Sequence, residues 1–209
     1  LVLTHPHSDH TGGAAAVLAM QPQAQLLGSI EAGHPLQEMR PVQRCGAGRQ
    51  WEWDGVRFEV LHPRPGGQER TGVKANAMSC VLRIQGNLGS ALLPGDVERD
   101  QEVELAAGAT GLHSDFLLVP HHGSKTSSSV PFLDAVAPRL AVVQAGYRNR
   151  FGHPAPEVLA RYRARGVPVA DMASCGGLRW RSSEPARWHC ERETSRRYWS
   201  HEVPVRRPR

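Results

Sequence analysis

Thr4-His5-Pro6-His7-Ser8-Asp9-His10-Thr11-Gly12-Gly13 packs three histidines and one carboxylate into positions 5–10, directly after the apolar run Leu1-Val2-Leu3. A short strand that runs into such a loop brings several nitrogen and oxygen donors to one point. No apolar core needs that concentration of polar groups, whereas a transition-metal site does. Gly12-Gly13 then permits a tight turn into an alanine-rich helix over 14–20.

The rest of the chain supplies further loops of the same kind. Strands are expected over 1–4 and 25–28, while 29–50 has little periodicity and reads as mixed loop and helix. Residues 51–61 form a hairpin around the Asp54-Gly55 turn, and 78–84 with 90–93 form a second. The second hairpin ends at Pro94-Gly95-Asp96, and a helix follows over 98–107, with Val103, Leu105 and Ala106 available to the core. Residues 116–119 form a buried strand leading into Pro120-His121-His122-Gly123-Ser124-Lys125. A helix over 130–136, a strand over 140–143, a helix over 156–165 and strands over 167–170 and 177–180 complete the pattern. Hairpins first, then alternating strands and helices, indicate a layered α/β sandwich. Three polar loops (5–10, Asp96 and His121-His122) each follow a short apolar strand. A rigid metal site needs such separated segments to converge.

The 209 residues are enough for one domain with a sizeable core. No run of eighteen apolar residues occurs, so the chain is expected to span no membrane itself and to be soluble. Leu1 opens on a strand without an initiator Met, as if cut from a longer protein. The net charge is +5, but it is uneven. Residues 1–60 carry four Arg against six acids, 139–165 carry six Arg against one, and 182–209 carry seven Arg against four. A basic second half suits a polyanion, nucleic acid first, although a solvated Arg-rich surface has the same composition. The four cysteines (45, 80, 175, 190) have no CxxC spacing and fit neither a zinc ribbon nor a dense disulfide framework; Cys80 reads as a buried thiol.

HxHxDH followed by GG, and then Leu92-Leu93-Pro94-Gly95-Asp96, resembles the metallo-β-lactamase fold. Val119-Pro120-His121-His122-Gly123-Ser124-Lys125-Thr126-Ser127-Ser128-Ser129 is narrower. Together with Asn149-Arg150-Phe151-Gly152-His153-Pro154 and Pro156-Glu157-Val158-Leu159, it resembles the competence DNA-internalisation (ComEC) family. The resemblance covers 1–181 and implies a metallo-β-lactamase-like αββα sandwich lacking its first strands, which leaves one sheet edge exposed. Residues 182–209 then form an Arg-rich, partly ordered tail. It also implies that the domain belongs to a multi-spanning inner-membrane protein whose channel portion is part of the same polypeptide.

By matching position, the resemblance implies two divalent metal ions, zinc or manganese. Asp9 and His10 bind one and His5 and His7 the other, with Asp96 bridging. One of His121 and His122 completes the first set, His121 being preferred. The fold's further histidine, expected ahead of the 78–84 strand, is replaced by Asn76, so the His5/His7 set is one ligand short; His62 reads as a loop residue.

Two metals suit hydrolysis of a phosphodiester. Asp9, Asp96 and His153 are the catalytic candidates, His153 as proton donor to the leaving oxygen or as a phosphate clamp. Ser124, Lys125 and Ser127, Ser128 and Ser129, at the start of a helix, read as a phosphate cradle. Arg148 and Arg150 would track a nucleic-acid backbone, and Tyr147 and Phe151 would either stack on bases or be buried. The resemblance implies a nuclease that degrades the strand of DNA not taken up during natural transformation, acting on single-stranded DNA and using no nucleotide cofactor. Two competitors stand beside it. A small-molecule metallo-hydrolase of lactonase or thioesterase type would need an enclosed apolar pocket. A catalytically silent DNA-binding domain would need no complete metal set.

Overall fold

The computed structural model describes residues 1–64, 72–108 and 111–195. Its elements in chain order are β1 (Val2–Leu3), α1 (Ser8–Thr11), α2 (Ala14–Met20), β2 (Leu26–Gly28), α3 (Leu36–Met39), β3 (Val42–Arg44), β4 (Gln50–Trp53) and β5 (Val56–His62). There follow β6 (Val81–Gln85), β7 (Ser90–Leu93), α4 (Arg99–Gly108), β8 (Phe116–Leu118), α5 (Val130–Val136), β9 (Leu140–Val143) and α6 (Pro156–Arg163). The chain then forms β10 (Val169–Asp171), α7 (Met172–Cys175), β11 (Leu178–Trp180), β12 (Trp188–Cys190) and α8 (Glu191–Thr194).

A three-stranded parallel sheet, β1-β2-β3, faces a seven-stranded sheet in the order β10-β9-β8-β7-β6-β5-β4. In the larger sheet β7 to β10 are parallel and β4 to β7 antiparallel. Three apolar layers hold the sandwich together. Leu3 and Leu26 pack with Leu18 of α2 and Leu36 of α3 on the outside of the small sheet. Leu27, Val60 and Leu82 fill the space between the sheets. Leu92, Leu117 and Val143 pack on the other side with Phe132 and Leu133 of α5 and Val158 and Tyr162 of α6. This is the αββα arrangement. β9 (Leu140-Ala141-Val142-Val143) is buried along its whole length because both its faces are covered, so it reads as a continuous apolar run.

The second covering of β9 comes from the C-terminal segment. β11 and β12 pair as an antiparallel hairpin, and Trp180 and Trp188 pack on Leu140, Val142 and Phe116. Residues 182–195 thus fold back onto the sheet; the remainder of the expected tail, 196–209, lies outside the described residues. Within 29–50, where the sequence shows no period, the chain forms α3 and β3. On α4, Val103 is 44% exposed and Glu102 is fully buried, so the expected inward face is rotated, with Leu105 kept inside. Among the described residues no helix is long and apolar enough to cross a membrane.

The cysteine expectation is corrected. Cys80 is not a thiol but is bonded to Cys45, and Cys175 is bonded to Cys190. β3 ends beside the start of β6, and that adjacency of distant segments brings Cys45 to Cys80. Cys175–Cys190 closes a loop with a sequence separation of 15 and ties the hairpin to α7. Replacing Cys175 and Cys190 by serine should lower unfolding stability by about 3 kcal/mol, the loop-closure entropy of such a bridge. Chemical denaturation of the oxidised wild type against the double variant measures it.

Candidate metal centre

The site forms where strand topology converges. β7, β8 and β9 run parallel, so Asp96, His121-His122 and the loop after 143 leave the sheet at one edge. β6 is antiparallel to β7, so its start lies at the same edge, and Cys80 N donates to Thr4 O at 2.8 Å, anchoring the end of β1 there.

Asp96 occupies the centre, 4% exposed. Gly95 permits this position: its φ is +59°, and a Cβ there would stand 2.9 Å from Thr4 Cβ and 3.1 Å from Ser79 Cβ. Asp96 N donates to Ser79 Oγ at 3.1 Å, and His121 N donates to Gly95 O at 3.1 Å. Around the carboxylate stand the Nε2 atoms of His10 (3.3 Å), His122 (3.6 Å), His5 (3.7 Å) and His121 (3.8 Å).

Two ligand sets share this carboxylate. Donor atoms of Asp9, His10, Asp96 and His122 lie within 4.8 Å of one another, as do those of His5, His7 and Asp96. His122 Nδ1–H donates to Gln144 O at 2.7 Å, which leaves the Nε2 lone pair 3.1 Å from Asp9 Oδ2. A lone pair facing a carboxylate oxygen is repulsive unless a proton or cation lies between them. Thr4 Oγ1 stands 3.1 Å from Nδ1 of both His5 and His10. Its two lone pairs can accept from both, which turns both Nε2 atoms toward Asp96. His5 Nε2 and His7 Nδ1 face each other at 3.0 Å. His10 Nε2 is buried and makes no hydrogen bond. Converging imidazole lone pairs, shared carboxylates and an orphaned buried nitrogen suit divalent cations held by nitrogen and oxygen.

The electrostatics agree. Burial, reinforced by neighbouring His10, drives the His5 imidazole down to about 4. Burial opposes protonation of His10 too, but the Asp96 and Asp9 carboxylates outweigh it and raise that group. Burial would raise Asp96, yet the surrounding His10, His122 and His5 hold it below the ordinary carboxylate value.

His121, the preferred partner for the Asp9/His10 set on sequence grounds, is not the residue that joins it; His122 is. Both residues have left-handed backbone, φ 48° and 54°, inside a tight Pro120–Gly123 turn that sends consecutive side chains to different partners. His121 instead sets Nδ1 3.3 Å from Glu98 Oε1 and Nε2 3.3 Å from Asn76 Nδ2. Asn76 therefore touches the edge of the centre. His62 is not a loop residue: it ends β5, is 5% exposed, and donates from Nδ1 to Ser79 O at 2.9 Å.

The residues of the expected phosphate cradle divide between buried serines and an exposed lysine. Ser127 and Ser128 are 1% and 0% exposed. Glu102 takes the N–H groups at the start of α5, its Oε1 accepting from Ser128 N at 2.5 Å and its Oε2 from Ser129 N at 2.6 Å. Ser127 Oγ donates toward Pro120 O and Ser124 O, both at 2.9 Å, and Ser128 Oγ lies 3.1 Å from Tyr162 OH. These groups hold the loop, while Ser129 Oγ is buried without a hydrogen-bond partner. Ser124 is nearly buried, with its Oγ 3.1 Å from Thr126 Oγ1. Lys125 is exposed, 3.9 Å from Glu157 Oε1, and Arg148 and Arg150 are exposed on the loop after β9. His153 is half-buried on that loop; burial, with His121 and His122 nearby, lowers its pKa, so the neutral imidazole prevails at neutral pH. A neutral imidazole keeps one N–H that can donate a hydrogen bond. Thr4, Ser79 and Gln144 escaped the sequence reading because backbone atoms and single hydroxyls carry no motif.

No protein-family model matches the chain. Igni18, a metallo hydrolase from the archaeon Ignicoccus hospitalis, superposes with TM-score 0.54 at 16% identity, over 82% of this chain and 74% of that one. CmlA, a diiron beta-hydroxylase from Streptomyces venezuelae, gives 0.56 at 14%, over 81% and 43%. At such identity the likeness concerns the fold, which is the metallo-β-lactamase fold. Competence protein ComA of Neisseria gonorrhoeae is 40% identical over 181 residues, 86% of this chain and 25% of that protein. Recombination protein 2 of Haemophilus influenzae is 33% identical over 180 residues, 86% and 22%. ComE operon protein 3 of Bacillus subtilis is 27% identical over 191 residues, 87% and 24%. The chain belongs to the competence DNA-internalisation (ComEC) family. It spans about a quarter of the length of these curated relatives.

Two measurements check the geometry. His122→Ala should weaken metal binding by more than about 100-fold, with His121→Ala much milder, in calorimetric titration with Zn²⁺ and Mn²⁺. A second concerns His62, whose pKa burial lowers. The unfolded chain binds the extra proton as pH falls below about 6.5, so stability is present above that pH and is lost as pH falls toward the folded value. His62→Gln should flatten the decline of Tm as pH falls below about 6.5 in the metal-free chain.

Proposed function

We propose that this chain is a metal-dependent phosphodiester hydrolase, a nuclease that acts on DNA during uptake and degrades the strand that is not carried inward. The observation that carries the reading is the buried Asp96 carboxylate shared by two converging ligand sets. Paired divalent cations, when bound, supply Lewis-acid charge to a phosphoryl oxygen and make water nucleophilic near neutral pH.

The chain's own residues then have separate tasks. Asp9, His10, Asp96 and His122 form the fuller ligand set, and His5, His7 and Asp96 the other. Thr4 and Gln144 orient the imidazoles. Neutral His153 donates an N–H to a phosphate oxygen, while Lys125, Arg148 and Arg150 draw the polyanion to the rim. The Asp9 side chain is 59% exposed, so the centre opens to the surface. That openness suits a long strand better than the enclosed apolar pocket of a lactonase or thioesterase. The names of the competence relatives support DNA as substrate. In the full-length protein we place the domain beside an inner-membrane channel formed by the same polypeptide. The two disulfides suit an oxidising compartment.

The test mixes the purified chain with single- and double-stranded DNA in Mn²⁺, Zn²⁺ or chelator, alongside Asp96→Ala. Cleavage that chelator abolishes and that Asp96→Ala reduces to background is the expected result. DNA binding without cleavage under every metal would instead support the silent DNA-binding domain.

A further inference from the structure

The loop after β9, Tyr147-Arg148-Asn149-Arg150-Phe151-Gly152-His153, contains two arginines and no acid. It is pinned from within. Asn149 Nδ2 donates to Gly146 O at 3.0 Å and His153 O at 2.6 Å, and Asn149 Oδ1 accepts from His153 N at 2.9 Å. Its far end is docked on the His121-His122 turn, where Ala155 N donates to Gly123 O at 2.8 Å. Gly123, with φ +80°, lies so close that a Cβ would stand 2.7 Å from Pro154 Cβ. A loop fixed at both ends nevertheless leaves Phe151 67% exposed.

The surroundings of that ring point to its occupant. Phe151 lies nearly parallel to His153, with 18° between the planes and 5.8 Å between centroids, and His153 lies 6.1 Å from His121. A row of rings therefore leads from the exposed aromatic to the edge of the Asp96 cluster. The Arg150 guanidinium stands 4.9 Å from the Phe151 centroid and Arg148 stands 5.2 Å from that of Tyr147. Exposed aromatic faces interleaved with guanidinium groups take a nucleobase on the ring and the adjoining phosphates on the cations.

We propose that Phe151 is a stacking platform for an unpaired nucleobase, and that it positions the strand whose phosphodiester reaches the Asp96 centre. For that position of the strand the inference rests on the phosphodiester-hydrolase reading. Arg150 leaves the ring for a phosphate as the base arrives. A base inside a duplex has both faces covered by its neighbours, so the platform selects single strands and frayed ends.

Binding is measured on the chelated chain, where no cleavage occurs, by fluorescence anisotropy with a labelled oligothymidylate of about ten nucleotides. An abasic strand of equal length keeps the phosphates and removes the bases. Phe151→Ala should weaken binding of the oligothymidylate on the order of tenfold and leave the abasic strand unchanged. Phe151→Trp should restore the difference between the two strands. Equal weakening of both strands by Phe151→Ala, weakening of neither, or no binding by the wild type overturns the platform. A failure of the hydrolase reading shows up separately, as stacking-dependent binding with no cleavage when metal is restored.

Discussion

The structure depends on keeping one carboxylate, Asp96, buried among four imidazoles. An ionised carboxylate removed from water needs positive charge or hydrogen-bond donors around it. The Nε2 atoms of His5, His10, His121 and His122 face its oxygens, so these histidines must balance the charge. They cannot all do so as cations, because neighbouring protonated imidazoles repel; His5 is driven down to about 4 for that reason as well as by burial. Asp96 is thus an anion ringed by imidazole nitrogens, of which His10 has a raised affinity for a proton and His5 a lowered one. A divalent cation relieves that arrangement because it accepts from nitrogen and oxygen together. The loops after β1, β7 and β8 are all tied to this point, so the edge of the sandwich and the metal centre are one construction.

A second buried carboxylate supports the first from behind. Glu102, held above the ordinary carboxylate range by burial, accepts from both N–H groups that open α5. Arg161 donates from Nη1 to Ser127 O at 2.7 Å and Ser128 O at 3.2 Å. The segment between the His121-His122 turn and α5 is thereby clamped by side chains from α4 and α6. Three of its residues, His121, His122 and Ser128, have left-handed φ values of 48°, 54° and 58°. Non-glycine residues hold such angles only where their surroundings over-determine them. The serine run is the scaffold that presents His122, and the exposed charge nearby is that of Lys125, Arg148 and Arg150.

Periodicity made the layers legible. The helix over 130–136 and the strand over 140–143 are found at those residues, and both hairpins form around the turns their glycines mark. The fold-wide gathering of His5, His7, Asp9, His10 and Asp96 was legible because each follows an apolar strand and parallel strands expose their ends together. Where information lies in direction and not in spacing, the sequence is silent. His121 and His122 are adjacent and chemically identical, and only two left-handed dihedrals decide which one faces Asp9. Glu102 sits on a helix whose polar and apolar positions are not cleanly segregated, so its burial could not be distinguished from Val103's exposure. The Cys45–Cys80 pair required β3, and β3 lies in a stretch without any period.

The two ligand sets are unequal in a way that follows from their partners. The Asp9, His10, Asp96 and His122 set has four donors, and the His122 tautomer is fixed by Gln144 O. The His5, His7 and Asp96 set has three, and Asn76, where the sequence resemblance implies another histidine, sets its amide nitrogen 3.3 Å from His121 Nε2. Asp96 belongs to both sets. A cation held by the fuller set would draw on the charge of this carboxylate and leave less for the other. His5, His7 and Asp96 would hold a second cation with three protein donors, and further oxygen donors would complete its coordination. On the hydrolase reading proposed above, a phosphate oxygen, as a hard anionic donor, would suit this smaller set better than a further imidazole.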